Sequence, residues 1–244
     1  MNKTITYKGK EVKFFNLLEQ EELCNMDGAV INGTLFQRPD HNMETLINVL
    51  KLQPGNIVYD IGAYIGTFSI PMAIEGMSVY AFEGFPDNFE RAKKNCEPYE
   101  NIKIYGVAVH NKSEIVETKF NDCTDLPAEA RTITYVKFDE FIEEKNIPLP
   151  DFVKMDIEGM ETIALFEMTN LLENARPIWQ IGYHEGLDIK FDDYPGFVRP
   201  EEGGFDFNKF KELDYEIFTS NGHRLPSFMG WGDYLCIPRE KLKR

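Results

Sequence analysis

Two short stretches carry the residues that could do chemistry. In VYDIGAYIGTFSI (58–70) an acid, Asp60, stands between an apolar run and two glycines, Gly62 and Gly66, four positions apart. In KMDIEGMET (154–162) Lys154, Asp156, Glu158 and Glu161 crowd the end of another apolar run. Glycines in a turn after a strand let the backbone pass close to a ligand and adopt positive φ. A carboxylate beside such a turn suits a cation and repels a phosphate. A further acid, Glu83, ends VYAFEG about 20 positions beyond the glycine turn, where a carboxylate can accept from both hydroxyls of a ribose. His184 and Glu185 close the run PIWQIGYHE (177–185).

Two cofactors compete for this turn. A dinucleotide asks for GxGxxG, so that backbone N–H groups meet pyrophosphate. The chain has Gly-Ala-Tyr-Ile-Gly instead, and Asp60 would repel that anion. S-adenosylmethionine carries an α-ammonium and a sulfonium and no phosphate. Both cofactors hold the ribose that Glu83 could bind. Asp60 and the missing third glycine separate them, with Asp60 expected to grip the cationic tail.

The elements that must position these groups follow from apolar periodicity. From about residue 40 strand-like and helix-like stretches alternate. NMETLINVLKL (42–52) has helical spacing and stops before Pro54-Gly55. NIVYDIGAY, SVYAFEG (78–84), IKIYGVAV (102–109), DFVKMDIEG (151–159) and PIWQIGYHE read as strands. TFSIPMAIEG, PDNFERAKKNCE, FDEFIEEKN and METIALFEMTNLLEN read as helices, with Pro71 tolerated if it falls in a first turn. VETKFN and ITYVKFDEF have extended character around the loop NDCTDLPAEA. FNKFKELDYEIFTS gives a helix and a strand, and MGWGDYLCIP a last strand. Such alternation implies a mostly parallel sheet covered on both faces, with an antiparallel pair at one edge. Residues 1–40 show no alternation and are expected to form a helical or irregular cap on a domain spanning 41–244. The polar stretch 186–206, with several Gly and Pro residues, reads as a loop or lid over the site.

Composition narrows the classes. The 244 residues are 43% hydrophobic, ordinary for a globular chain, and carry a net charge of −15. That field repels nucleic acid and anionic membrane surfaces at long range. The basic spots at 93–95 and in the tail are short and read as solvated faces. No apolar run approaches the roughly 20 residues that span a bilayer, and no signal-peptide stretch stands at the N-terminus, so a cytoplasmic protein is expected. Cys24, Cys96, Cys123 and Cys236 are far apart and form no CxxC pair, which argues against a disulfide framework or a thiolate metal site.

VYDIGAYIGTFSI, VYAFEGFPDNFERAKKN and YVKFDEFIEEKNIPLPDFVKMDIEGMET together resemble the FkbM type of class I S-adenosylmethionine-dependent methyltransferase, in order and spacing across about residues 42–240. The resemblance implies a Rossmann-like α/β fold with a seven-stranded sheet, order 3-2-1-4-5-7-6, the last strand antiparallel. It implies that the turn residues Asp60, Gly62, Ala63, Tyr64, Gly66, Thr67 and Phe68 border the cofactor, and that Glu83 accepts from its ribose. Val107 and Ala108 would border the adenine, and Asp156 the methionine end. Tyr64 stands where the family often has Asn, and Gly182 where relatives often have an acid. The acceptor implied is a hydroxyl on a sugar, glycan or natural product.

Methyl transfer to a hydroxyl needs a base to take its proton. His184, Glu158 and Asp156 are the candidates, with Asp156 orienting cofactor or substrate. Asp156 and Glu158 lie two apart, so strand alternation would turn both to one side. Glu161 reads as a first-turn acid of the next helix. The same carboxylates and histidine would also suit Mg²⁺, a reading not favoured over metal-free transfer, and no metal ligands are assigned. Phe228, Trp231 and Tyr234 form either an apolar wall at the mouth of the site or packing for the last strand. N-methylation of an amine or peptide side chain, and a catalytically inactive cofactor-binding partner subunit, are alternatives that the residues leave open, as is a homo-oligomer.

Overall fold

The structure, a computed structural model, describes residues 3–7, 10–15, 24–26, 29–31, 47, 50–119, 130–183, 207–219, 222–230 and 232–242. Apolar runs pair into a central sheet: β5 (Ile57–Ile61), β6 (Ser78–Phe82), β7 (Ile102–Tyr105), β11 (Phe152–Met155), β12 (Ile178–Tyr183), β13 (Tyr215–Thr219), β14 (Arg224–Leu225) and β15 (Gly232–Pro238). Its order is β14-β13-β15-β12-β11-β5-β6-β7. The strands from β7 to β12 run parallel, and β15 is antiparallel to both neighbours. Among the described residues the sheet has eight strands where seven were expected, because the two-residue β14 adds an edge beside β13.

All four residues of β11 are buried, as are the last four of β5. Strands buried on both faces must be near-continuously apolar. Alternation then sorts their side chains to two cores. Val58, Phe152 and Ile178 face one cluster, with Ile70 and Met72 of the helix Ser69–Ile74. Tyr59, Val153 and Trp179 face the other, with residues of the helices Phe138–Glu144, Glu161–Phe166 and Asn208–Glu212. Pro71 falls in the first turn of its helix, where its missing N–H is harmless.

Three elements depart from the sequence expectation. The N-terminal region holds strands, β1 (Lys3–Tyr7) paired with β2 (Lys10–Phe14) and β3 (Cys24–Met26) with β4 (Ala29–Ile31). The first hairpin sends Tyr7, Val12 and Phe14 into the core, so Val12 and Phe14 alternate with exposed Glu11 and Lys13. The expected strand 102–109 breaks at Gly106–Val107. Its second half, β8 (Ala108–His110), joins a small sheet with β9 (Glu114–Lys119) and β10 (Ala130–Lys137) in the order β8-β10-β9. The expected long helix from Met160 ends at Phe166 and resumes as a π-helical turn, Leu171–Ala175. Of the expected helix 42–52, Ile47 and Leu50 are helical and buried; residues 42–46, 48 and 49 lie outside the described residues.

Candidate functional site

The carboxyl ends of β5, β6 and β11 converge. In an open parallel sheet ligands bind beyond those ends. The turn after β5 passes so close to β11 that a methyl on Gly62 would fall 1.9 Å from the Asp156 carbonyl oxygen. Gly62 has φ +80°, a conformation glycine adopts without cost. The N–H groups of Gly62 and Ala63 both donate to the Phe82 carbonyl, at 2.9 and 3.1 Å, which fastens the turn to β6. Behind it Gly66, φ +90°, lies against Cys96, whose Sγ would be 2.8 Å from an added Cβ.

Glu83 closes the turn from the other side. Its Oε2 accepts the Tyr64 N–H at 2.7 Å, and its Oε1 the Phe85 N–H at 2.8 Å. Tyr64 is held at φ +53°, unusual for a residue with a side chain, and the Arg91 guanidinium stands 5.5 Å from its ring centroid. Beyond Glu83, a Cβ on Gly84 would be 2.5 Å from that of Ala108. Ala108 therefore packs against Gly84, the residue that follows Glu83.

Asp60 has a different position from the one its sequence context suggests. It is fully buried. Its Oδ2 accepts the Ser69 hydroxyl at 2.6 Å, and its Oδ1 lies 3.2 Å from Lys154 Nζ. Lys154 is its register partner across β5 and β11, and the same ammonium donates to the Gly62 carbonyl at 2.6 Å. Burial pulls the Lys154 pKa down; the carboxylates of Asp60, Asp156 and Glu83 outweigh it and hold the ammonium above its ordinary value. The carboxylate at the strand tip thus faces a buried cation of the chain itself. Phe68 also turns inward, stacking on Phe152 at 6.2 Å, and Thr67 and Ala63 are buried.

On β11 the strand stops at Met155, so alternation does not reach the acids beyond it. Asp156 instead follows the strand with its N–H on the Ile61 carbonyl at 3.0 Å. Glu158 lies in a turn at φ +54° with Gly159 at φ +99°, and it is exposed. Glu161, 1% exposed, fixes that turn: its carboxylate accepts the N–H groups of Ile157 at 3.0 Å and Gly159 at 3.1 Å. This fits its reading as a first-turn acid. His184, Glu185, Trp231 and the loop 186–206 lie outside the described residues. Phe228 and Tyr234 pack together, ring centroids 4.3 Å apart, and Phe228 lies 5.9 Å from Tyr183 at the end of β12. Among the described residues no three metal-type ligands cluster, and no described helix is long and apolar enough to cross a membrane.

Sequence reasoning missed the roles of Lys154, Ser69 and Asn95. Lys154 carried a signal: a lysine inside an apolar strand buried on both faces must meet a counter-charge. Asn95, 1% exposed, donates to the Ile65 carbonyl in the glycine turn at 2.9 Å and accepts the Phe15 N–H at 2.7 Å.

Fold and site define a Rossmann-like α/β protein that presents a glycine turn and carboxylates beyond the ends of its parallel strands. Residues 60–224 match the methyltransferase FkbM domain, and the chain belongs to that family. The match takes in the turn, Glu83, Asp156 and Glu158 and leaves out the N-terminal hairpins. The chain is 30% identical over 147 residues to the hexuronic acid methyltransferase AglP of Haloferax volcanii, a match covering 57% of this chain and 61% of that protein. It thus spans less than two thirds of the relative's length. Solved structures similar to it include a methyltransferase FkbM from Methylobacillus flagellatus (20% identity, TM-score 0.48, 75% of this chain and 43% of that one). Another is a precorrin-6y C5,15-methyltransferase from Geobacter metallireducens (13% identity, TM-score 0.46, 85% and 91%).

Proposed function

We propose that the protein transfers a methyl group from S-adenosylmethionine to a hydroxyl oxygen of a sugar or glycan. The observation that carries this reading is the glycine turn clasped between Glu83 and β11 in a chain of the FkbM family. A turn flanked by the carboxylates of Glu83 and Asp156 suits a ribose and a cationic amino-acid tail and opposes a pyrophosphate. The donor would supply an electrophilic methyl carbon. The chain must orient the acceptor, exclude water and take the hydroxyl proton. Glu158 is the proposed base, with His184 as a second candidate and Asp156 as the orienting group. Glu158 is exposed on a turn whose backbone Glu161 holds from beneath, and a carboxylate carried on such a turn is suited to meet a substrate. Gly62, Ala63, Tyr64, Gly66 and Thr67 supply the turn, and Val107 and Ala108 the adenine border. The name of the AglP relative directs the choice of acceptor toward uronic acids.

Incubation with methyl-labelled S-adenosylmethionine and a panel of hexuronosides, neutral glycosides, amines and peptides tests the proposal. The expected product is an alkali-stable methyl ether on a sugar. Label on an amine would replace the oxygen target with nitrogen. Binding of the donor with no transfer, and a stable protein partner in pull-downs, would make the chain a non-catalytic subunit.

A further inference from the structure

The ion pair beneath the glycine turn assigns a role to two residues at once. Lys154 Nζ reaches both the Asp60 carboxylate, at 3.2 Å, and the Gly62 carbonyl, at 2.6 Å. Ser69 takes the other Asp60 oxygen at 2.6 Å. Asp60 is 0% exposed and Lys154 8%. A buried lysine without a counter-ion is strongly destabilising, and so is a buried carboxylate without a cation. The two are therefore one unit, and the group they share with the site is the Gly62 carbonyl.

We propose that Asp60 and Lys154 are positioning residues: Asp60 holds the Lys154 ammonium, the ammonium holds the Gly62 carbonyl, and Asp60 does not itself touch the amino-acid tail of the donor. This rests on the donor reading above and changes the role of its first acid. The tail's ammonium must then meet some other acceptor at the mouth of the turn. Fixing Gly62 matters because its neighbours are set in sequence. The Tyr64 N–H must reach Glu83, and Gly62 must lie against Asp156. A slack carbonyl at Gly62 loosens both contacts and so lowers affinity for the whole donor.

The test compares S-adenosylhomocysteine with its analogue lacking the α-amino group, by calorimetry well below the melting midpoint. The proteins are the parent, Asp60→Asn, Asp60→Asn with Lys154→Gln, and Ser69→Ala. Asp60→Asn should weaken both ligands by the same factor, about tenfold for a coupling of about 1.4 kcal/mol. The double variant, which removes both charges and keeps an amide donor, should recover at least half of that loss on a logarithmic scale. A merely stabilising pair would lower the melting midpoint and leave both affinities intact, and that result overturns the proposal. So does an Asp60→Asn loss confined to the amine-bearing ligand. Ser69→Ala keeps both charges and gives the same comparison if the charge variants do not fold: equal weakening supports the proposal, and a selective change overturns it. Failure of the parent protein to bind either ligand sinks the donor reading itself, a result distinct from selective loss.

Discussion

At the scale of single residues, the site depends on side chains that hold backbone. Glu83 and Glu161 each accept two main-chain N–H groups, and each fixes a turn that carries a residue in the left-handed region, Tyr64 and Glu158. Such backbone costs about 1–3 kcal/mol and persists only where its surroundings impose it. Glu158 therefore separates stability from activity. Glu158→Gly should stabilise the fold by about 1 kcal/mol in urea denaturation, because glycine has no penalty at that φ. Glu158→Gln should leave the urea midpoint nearly unchanged. Both should slow methyl transfer by about 10²–10⁴-fold if the carboxylate is the base. Equal rates in all three proteins would remove Glu158 from the chemistry. The glycine turn was legible in the sequence because its requirements are local, a positive φ and a close approach, whereas the two main-chain N–H groups that Glu83 accepts were not. The partner of Asp60 was not, because Lys154 meets it only once β5 and β11 pair in register.

At the scale of elements, the apolar runs gave the strands, since a strand buried on both faces has no other way to read. Their ends were harder to read. IKIYGVAV is continuous in sequence, yet a Cβ on Gly106 would press on the Phe89 ring at 3.2 Å, and the chain changes sheet there. That bend depends on a helix from elsewhere in the chain, Pro86–Cys96, which periodicity within 102–109 does not contain. The N-terminal hairpin was hidden for a similar reason. The apolar alternation of Val12 and Phe14 is only two residues deep, and its worth depends on the core it covers. Asn95 ties that hairpin to the glycine turn through its buried amide. Asn95→Ala leaves the buried Ile65 carbonyl and the half-buried Phe15 N–H without this partner, at a cost of about 1–3 kcal/mol, most of it at the buried carbonyl. Denaturant midpoints should fall accordingly, and the thermal shift produced by S-adenosylhomocysteine should shrink. An unchanged shift would uncouple the hairpin from the turn.

For the whole molecule, stability depends on pH through the buried His110. Burial pushes the His110 imidazole below its ordinary 6.5, Lys112 adds to the fall and Glu114 opposes it. His110 is 1% exposed and packs against Tyr135 with the rings tilted at 60°, centroids 5.0 Å apart. Its folded pKa lies below its unfolded one, so the unfolded chain binds the proton more readily. The stability this gives is present above pH 6.5 and is lost as pH falls through the lowered folded value. Melting midpoints should drop as the pH falls below 6.5, and less so in His110→Gln. Parallel profiles for the two proteins would rule out the histidine as the cause.

Cys96 gives the glycine turn a witness. Burial pushes its thiol up to about 12, with Asp60 adding to the rise, and the sulfur lies directly behind Gly66. Packed there as a neutral thiol, it is screened from electrophiles for as long as the loop stays shut. Each excursion that peels the loop from its bed would bare the sulfur, so the pace of covalent tagging at this one atom is a clock for how often the site unlatches.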